Sequence, residues 1–352
     1  MKLVRPVTVL DAVLTSTNVV ETPPAVYAGG TTYALGSTVS VLTGTSVSVY
    51  TSLQSGNLGH TPASSPTWWA LTGATYSLWS AGQAYSLNDI VIVVGANSHL
   101  SYQRLVAGTT ATVPSSDSAN WLPLGATNAW AMFDASVTSQ TSNPGSITQT
   151  FTVPGRCDSV ACLNTVCDTI RVQMTDPVTA GVVYDVTYKM ISDNGINDPY
   201  AYSFEPIERL SDLVVTGLPP YANAIITVTM SIGTGNALCG ALILGLSRDV
   251  GSTQYGASVG ITDYSTKTQD VFGNYQITKR AFSKRADFTV WVPGSLVDKL
   301  ELILAGYRAT PILYVGSDGY TSTAVYGFFK DFAVTISYPT VSVCTISVEG
   351  LT

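Results

Sequence analysis

One stretch of this chain occurs twice. Residues 27–75 read YAGGTTYALGSTVSVLTGTSVSVYTSLQSGNLGHTPASSPTWWALTGAT, and residues 79–127 read WSAGQAYSLNDIVIVVGANSHLSYQRLVAGTTATVPSSDSANWLPLGAT. The two align at a constant offset of 52 without a gap. Tyr27 meets Trp79, Tyr33 meets Tyr85, Val39 meets Val91 and Tyr50 meets Tyr102. Pro62 meets Pro114, Trp69 meets Trp121, and Gly73-Ala74-Thr75 meets Gly125-Ala126-Thr127. So many large residues in one register imply one small fold used twice.

Each unit reads as an aromatic–Gly entry, a strand (TVSVL or DIVIVV), a second strand around Tyr50 or Tyr102, a Pro-containing loop and a closing Trp. Three strands bury little on their own, so such a unit needs bulky side chains. Aromatics supply the most buried area per residue. Trp69 and Trp121 therefore read as the residues on which each unit closes. Trp68 faces Asn120 in the alignment, so the unit does not require it, and it is the better candidate for exposure.

The pattern resembles the small chitin-binding-like carbohydrate modules of the family 5/12 type. The second copy keeps Trp79, Tyr85, Asn88-Asp89-Ile90-Val91, Tyr102 and Trp121. The first copy has Gly36-Ser37-Thr38-Val39 and lacks the Asp. In that family aromatics stack on sugar rings. The resemblance makes Tyr33, Trp68, Trp69, Tyr85, Tyr102 and Trp121 the candidate carbohydrate-binding residues, against the alternative that these rings are core or interface.

Charged residues are only 11% of the chain, far below the roughly 25% usual for soluble domains. Hydrophobic residues are 45%, so the chain is not disordered. Polarity comes from Ser, Thr, Asn and Gly, which suits faces covered by neighbours. Net charge is −7, and the basic segment KRAFSKR (Lys279, Arg280, Lys284, Arg285) is too short for a nucleic-acid footprint. Pro6 and Asp11 interrupt the apolar start, so it makes a poor secretion signal. The longest apolar run, NALCGALILGL at 236–246, is too short to span a bilayer, and the expectation is a soluble protein. Cysteines 157, 162, 167, 239 and 344 lack disulfide or zinc spacing and read as buried free thiols.

The remainder reads as antiparallel β-sandwich of jelly-roll type, giving a mainly β chain. Residues 1–26 form an N-terminal docking segment, 27–75 and 79–127 the repeats, 128–250 one sandwich, and 251–352 a second sandwich with a helix near 295–307. SNPGS (142–146) reads as a turn, and ANAIITVTMSI (222–232) and ALILGLS (241–247) read as separate strands. DVFGNYQI carries a hairpin turn at Phe272-Gly273-Asn274. In GSLVDKLELILAGYRATP, Ser295 and Asp298 have capping-box spacing, and Leu296, Leu300, Ile303, Leu304 and Tyr307 share a face.

The segments MKLVRPVTVLDAVLTSTNVVE, TNAWAMFD, YGASVGITDYSTKTQDVFGNYQITKRAFSKR and RATPILYVGSDGYTSTAVYGFFKDFAVTISYPTVSVCTISVEGLT resemble a family widespread in tailed bacteriophages and prophages. The resemblance implies a virion structural protein of the tail tip or baseplate, assembled in the host cytoplasm. Its implied partners are other tail, baseplate or fibre subunits and further copies of itself, with a host cell-surface glycan as the alternative contact. It supplies no catalytic residues. The two histidines, His60 in a Gly-Pro loop and His99 in a hairpin, are expected to be solvated and form no Ser-His-Asp arrangement. Asp185, Glu205 and Glu208 have no spacing that favours glycosidase work. Asp263, Asp270, Asp318 and Asp331 read as turn and strand-end residues. The expectation is a non-enzymatic chain without metal, cofactor, nucleic-acid partner or membrane span.

Overall fold

A computed structural model describes residues 1–192, 198–204, 208–269 and 272–352. The chain is mainly β. Its spine is one 25-residue strand, Ile225–Asp249, where the sequence suggested two. The first half pairs with Thr169–Thr175 and the second with Ser159–Val166 and Lys2–Pro6. The exposed Gly233-Thr234-Gly235-Asn236 segment lies between the halves without ending the strand. Thr141–Thr152 runs antiparallel along both halves. SNPGS is thus no turn but a bulge within a strand. Pro144 and Ser146 bracket a register shift, and Gly145 has φ +71°, a conformation glycine adopts without strain.

The apolar run at 236–246 is explained by burial on both faces. Leu242 and Leu244 belong to a core with Phe151, Ile170, Val228 and Met230. Ala241 and Ile243 turn the other way, onto Val4, Leu313 and Val315. A strand covered on both sides loses the polar alternation of a half-exposed one. Among the described residues no helix is long and apolar enough to cross a membrane.

The N-terminal strand Lys2–Pro6 lies inside this sheet, between Ile225–Asp249 and Ile312–Val315. The sheet continues through Ala324–Thr335 and Val341–Gly350 to Phe282–Pro293. Its third core holds Phe288, Val290, Tyr314 and Ile346, closed by the helix Val297–Gly306 through Leu300 and Leu304, with Tyr307 just beyond. Leu296 and Ile303 pack beside them, so the apolar face is as the spacing predicts. The cap is not. A 3₁₀ turn, Gly294–Leu296, leads into the helix, and no side chain caps it. Ser295 is drawn into that turn, one residue too early to serve as cap.

The repeats form a separate six-stranded sheet. The first contributes Thr38–Thr43, Ser46–Ser52 and Trp69–Leu78; the second contributes Ile90–Gly95, Ser98–Arg104 and Trp121–Ala126. Every strand start recurs at the offset of 52. So do the short 3₁₀ turns Pro62–Ser64 and Pro114–Ser116. The halves join edge to edge by parallel pairing of Ser77 with Val91 and Leu78 with Ile92.

Candidate functional site

Each repeat is organised by one indole. The Trp69 ring meets the Tyr33 ring edge-on at 5.2 Å and 70°. The Trp121 ring meets Tyr85 at 5.2 Å and 73°. Both tyrosine hydroxyls accept a backbone N–H five residues upstream, from Ala28 at 2.9 Å and Ser80 at 2.7 Å. Edge-to-face rings with satisfied hydroxyls describe a core. Trp69, Tyr85, Tyr102 and Trp121 are all buried. All four pack inside their unit, with Tyr85 also bordering the cleft at the seam.

Tyr33 and Trp68 are half-buried. Tyr33 stacks on Tyr27 with ring centres 5.8 Å apart. Trp68 stacks on His60 at 4.0 Å and 13°. His60 is therefore a half-buried loop residue that partners Trp68. A cleft of about 340 Å³ opens at the seam between the repeats. Thr45, Ser77, Ser80, Gln83 and Asp89 line it, with Leu78 and Tyr85 among its apolar neighbours. One Asp89 carboxylate oxygen accepts the Ser86 N–H at 2.6 Å.

The other constellation was not foreseen. His99 is 8% exposed, which corrects the expectation of a solvated residue. Its Nε2 lies 2.7 Å from Asp11 Oδ1, and its Nδ1 lies 3.0 Å from Glu21 Oε2. Each ring nitrogen faces one carboxylate. Trp130 stacks on the imidazole at 4.0 Å and 10°. Glu21 also receives the repeats themselves: the Thr75 hydroxyl donates to its backbone carbonyl and the Thr127 hydroxyl to its carboxylate. These threonines close the two Gly-Ala-Thr triplets. Their recurrence was visible in the sequence, and it was the available signal that both have one job. What they hold was not visible, because Asp11 and Glu21 belong to a different segment.

No family model, curated protein or solved structure matches the chain. The chemistry must therefore be read from its own residues. Burial pushes the Cys157, Cys167 and Cys344 thiols up to about 11 and raises those of Cys162 and Cys239 as well. All five cysteines are free and buried, as expected, and stay protonated at neutral pH. Among the described residues no group of His, Cys, Asp and Glu could hold a metal ion. Asp185 is held by the Arg171 guanidinium, and Lys284 of the basic segment pairs with Asp212. Asp318 pairs with Lys2, Asp263 accepts the Ser265 N–H, and Asp331 sits at a strand irregularity. Glu208 is exposed. Glu205 and Asp270 lie outside the described residues.

Proposed function

We infer that the chain is a non-enzymatic structural component of a bacteriophage tail tip or baseplate, joining tail and fibre proteins. The observation that carries the assembly part of this reading is the surface of the repeats. Residues 27–127 contain three charged side chains, Asp89, Arg104 and Asp117, and the first repeat contains none. Yet Leu35, Leu42, Leu58, Leu71, Leu87 and Val106 are exposed there. Exposed apolar side chains on a nearly uncharged surface favour contact with a neighbour. The sequence resemblance supplies the virion setting.

A second reading, contact with a host glycan, is favoured by one observation. The seam cleft carries hydroxyl, amide and carboxylate groups beside apolar wall, and Trp68 keeps part of its ring open. Mass spectrometry of purified particles tests the first reading; absence of the chain from the virion overturns it. Glycan-array binding of the full chain tests the second. Retention that survives both Trp68→Ala and Asp89→Ala removes the repeats as the glycan site.

A further inference from the structure

One hairpin leaves the large sheet, and its two described outer strands are exposed along their length. Ser258–Asp263 pairs with Phe282–Pro293, which Val341–Gly350 holds from the other side. Beyond them the two chains continue as Thr266–Gln269 against Tyr275–Thr278, a two-stranded ribbon outside the sheet. Every residue of both strands is exposed. Two strands alone are marginally stable in water.

The pairing register divides this ribbon into unlike faces. Thr266, Thr268, Gln276 and Thr278 occupy one. Lys267, Gln269, Tyr275 and Ile277 occupy the other, with Lys267 opposite Ile277. Tyr275 is 67% exposed and Ile277 is 65% exposed. The second face is thus apolar and cationic, and Lys279 and Arg280 follow it directly.

A surface of the opposite kind lies on the helix Val297–Gly306. Leu300 and Leu304 turn inward, which leaves Asp298, Glu301, Leu302 and Ala305 along the outer side. Their spacing forms one stripe. Leu302 is 75% exposed one turn beyond Asp298 and next to Glu301, with Lys299 to one side.

The geometry points to a contact in which the ribbon of one copy lies on the outer face of this helix in the next copy. Tyr275 and Ile277 would cover Leu302 while Lys267 meets Glu301 or Asp298. Charge favours another copy as the occupant. Residues 263–285 hold five cations and two carboxylates, with Lys267 3.9 Å from Asp263 and Lys284 paired with Asp212, whereas the other residues hold 11 cations and 21 carboxylates. Ribbon and helix are different surfaces, so the contact is head-to-tail and generates a ring or a filament. This rests on the assembly reading above for the identity of the partner, and it does not need the virion setting.

The test uses the full chain. The native cysteines are buried, so Ile277→Cys and Leu302→Cys each add the one exposed thiol. Mixing the two variants under oxidation is expected to give disulfide-linked dimers that neither gives alone. Lys267→Glu or Glu301→Lys is expected to weaken self-association in sedimentation velocity by about tenfold. Combining the two reversals is expected to restore it. Melting curves confirm that these exposed changes leave the fold intact. Self-association that persists through Ile277→Asp and Leu302→Asp overturns the ribbon contact and leaves assembly standing. A chain that stays monomeric at high concentration overturns the ribbon contact, while particle mass spectrometry judges the virion reading separately. If Ile277→Asp abolishes incorporation into particles but not self-association, the ribbon serves a different subunit and the proposal falls.

Discussion

The two repeats share a backbone and differ in what fills it. Trp69 Nε1 donates to the His60 carbonyl at 2.7 Å, whereas Trp121 Nε1 has no acceptor among the described residues. Ser52, buried in the first repeat, accepts from Asn57 Nδ2 at 2.9 Å and donates to the Gln54 carbonyl at 2.9 Å. Its counterpart is Arg104, whose guanidinium carbon sits 4.9 Å from the centre of the Trp121 ring. Arg104 is buried, and its Nε and Nη1 have no partner among the described residues. Val47 is an ordinary core residue; its counterpart is His99, tied to Asp11 and Glu21. The fold is thus specified by the indole, the tyrosine and the turns. The positions that differ give the second module an extra anchor: His99 ties it to Asp11 and Glu21, while both modules reach Glu21 through Thr75 and Thr127.

Removing the indoles tests this most severely. Trp69→Ala and Trp121→Ala should each cost about 3–5 kcal/mol, read as a lowered melting temperature. Limited proteolysis sharpens the result. If Trp121→Ala opens only 79–127, the modules stand alone; if 27–75 opens with it, the parallel seam couples them. His99→Val, which gives the second repeat the first repeat's residue, should cost about 1–3 kcal/mol by removing a polar partner of both Asp11 and the Glu21 carboxylate. Hydrogen exchange should then rise in residues 8–24 and leave 27–75 unchanged.

Acid should separate the repeats from the sandwich. The Gly233 N–H and Arg209 hold the Asp168 carboxyl below the ordinary range. The Ser347 and Ser258 hydroxyls do so for Asp287, and Lys330 does so for Glu349. A carboxyl lowered in the folded state adds stability at neutral pH, and that stability is lost as pH falls through the folded value. The repeats hold only two carboxylates, Asp89 and Asp117. Pepsin below about pH 4 should therefore cut 128–352 before 27–127. The smallest effect is expected at Arg104. Arg104→Met removes a buried charge with incomplete partners and should leave the melting temperature unchanged or raised. A large drop would mean that the cation over Trp121 is essential to the second core.

The repeats were legible because their register is carried by residues next to each other in sequence. Each strand start and the 3₁₀ turns at Pro62 and Pro114 recur at the offset read from the letters. The inward face of the C-terminal helix was legible for the same reason. The misreadings arose where a distant partner decides. Asn143-Pro144-Gly145 is turn chemistry, but a strand more than 80 residues away holds it extended as a bulge. Ser295 has cap spacing, but the chain tightens into a 3₁₀ turn first. His99 looks like a hairpin-tip residue until the N-terminal segment supplies two carboxylates and Trp130 a flat floor. Trp121 was legible as the closing residue of its unit, whereas the enclosure of Tyr85 and Tyr102 depends on the closed three-stranded unit.

Glu21 offers its backbone carbonyl to Thr75 and its carboxylate to Thr127 and His99, so both repeats are fastened at one residue. Duplication could in principle go on adding units to the free edge at Trp121–Ala126. One amino acid outside the array nevertheless fastens both existing copies.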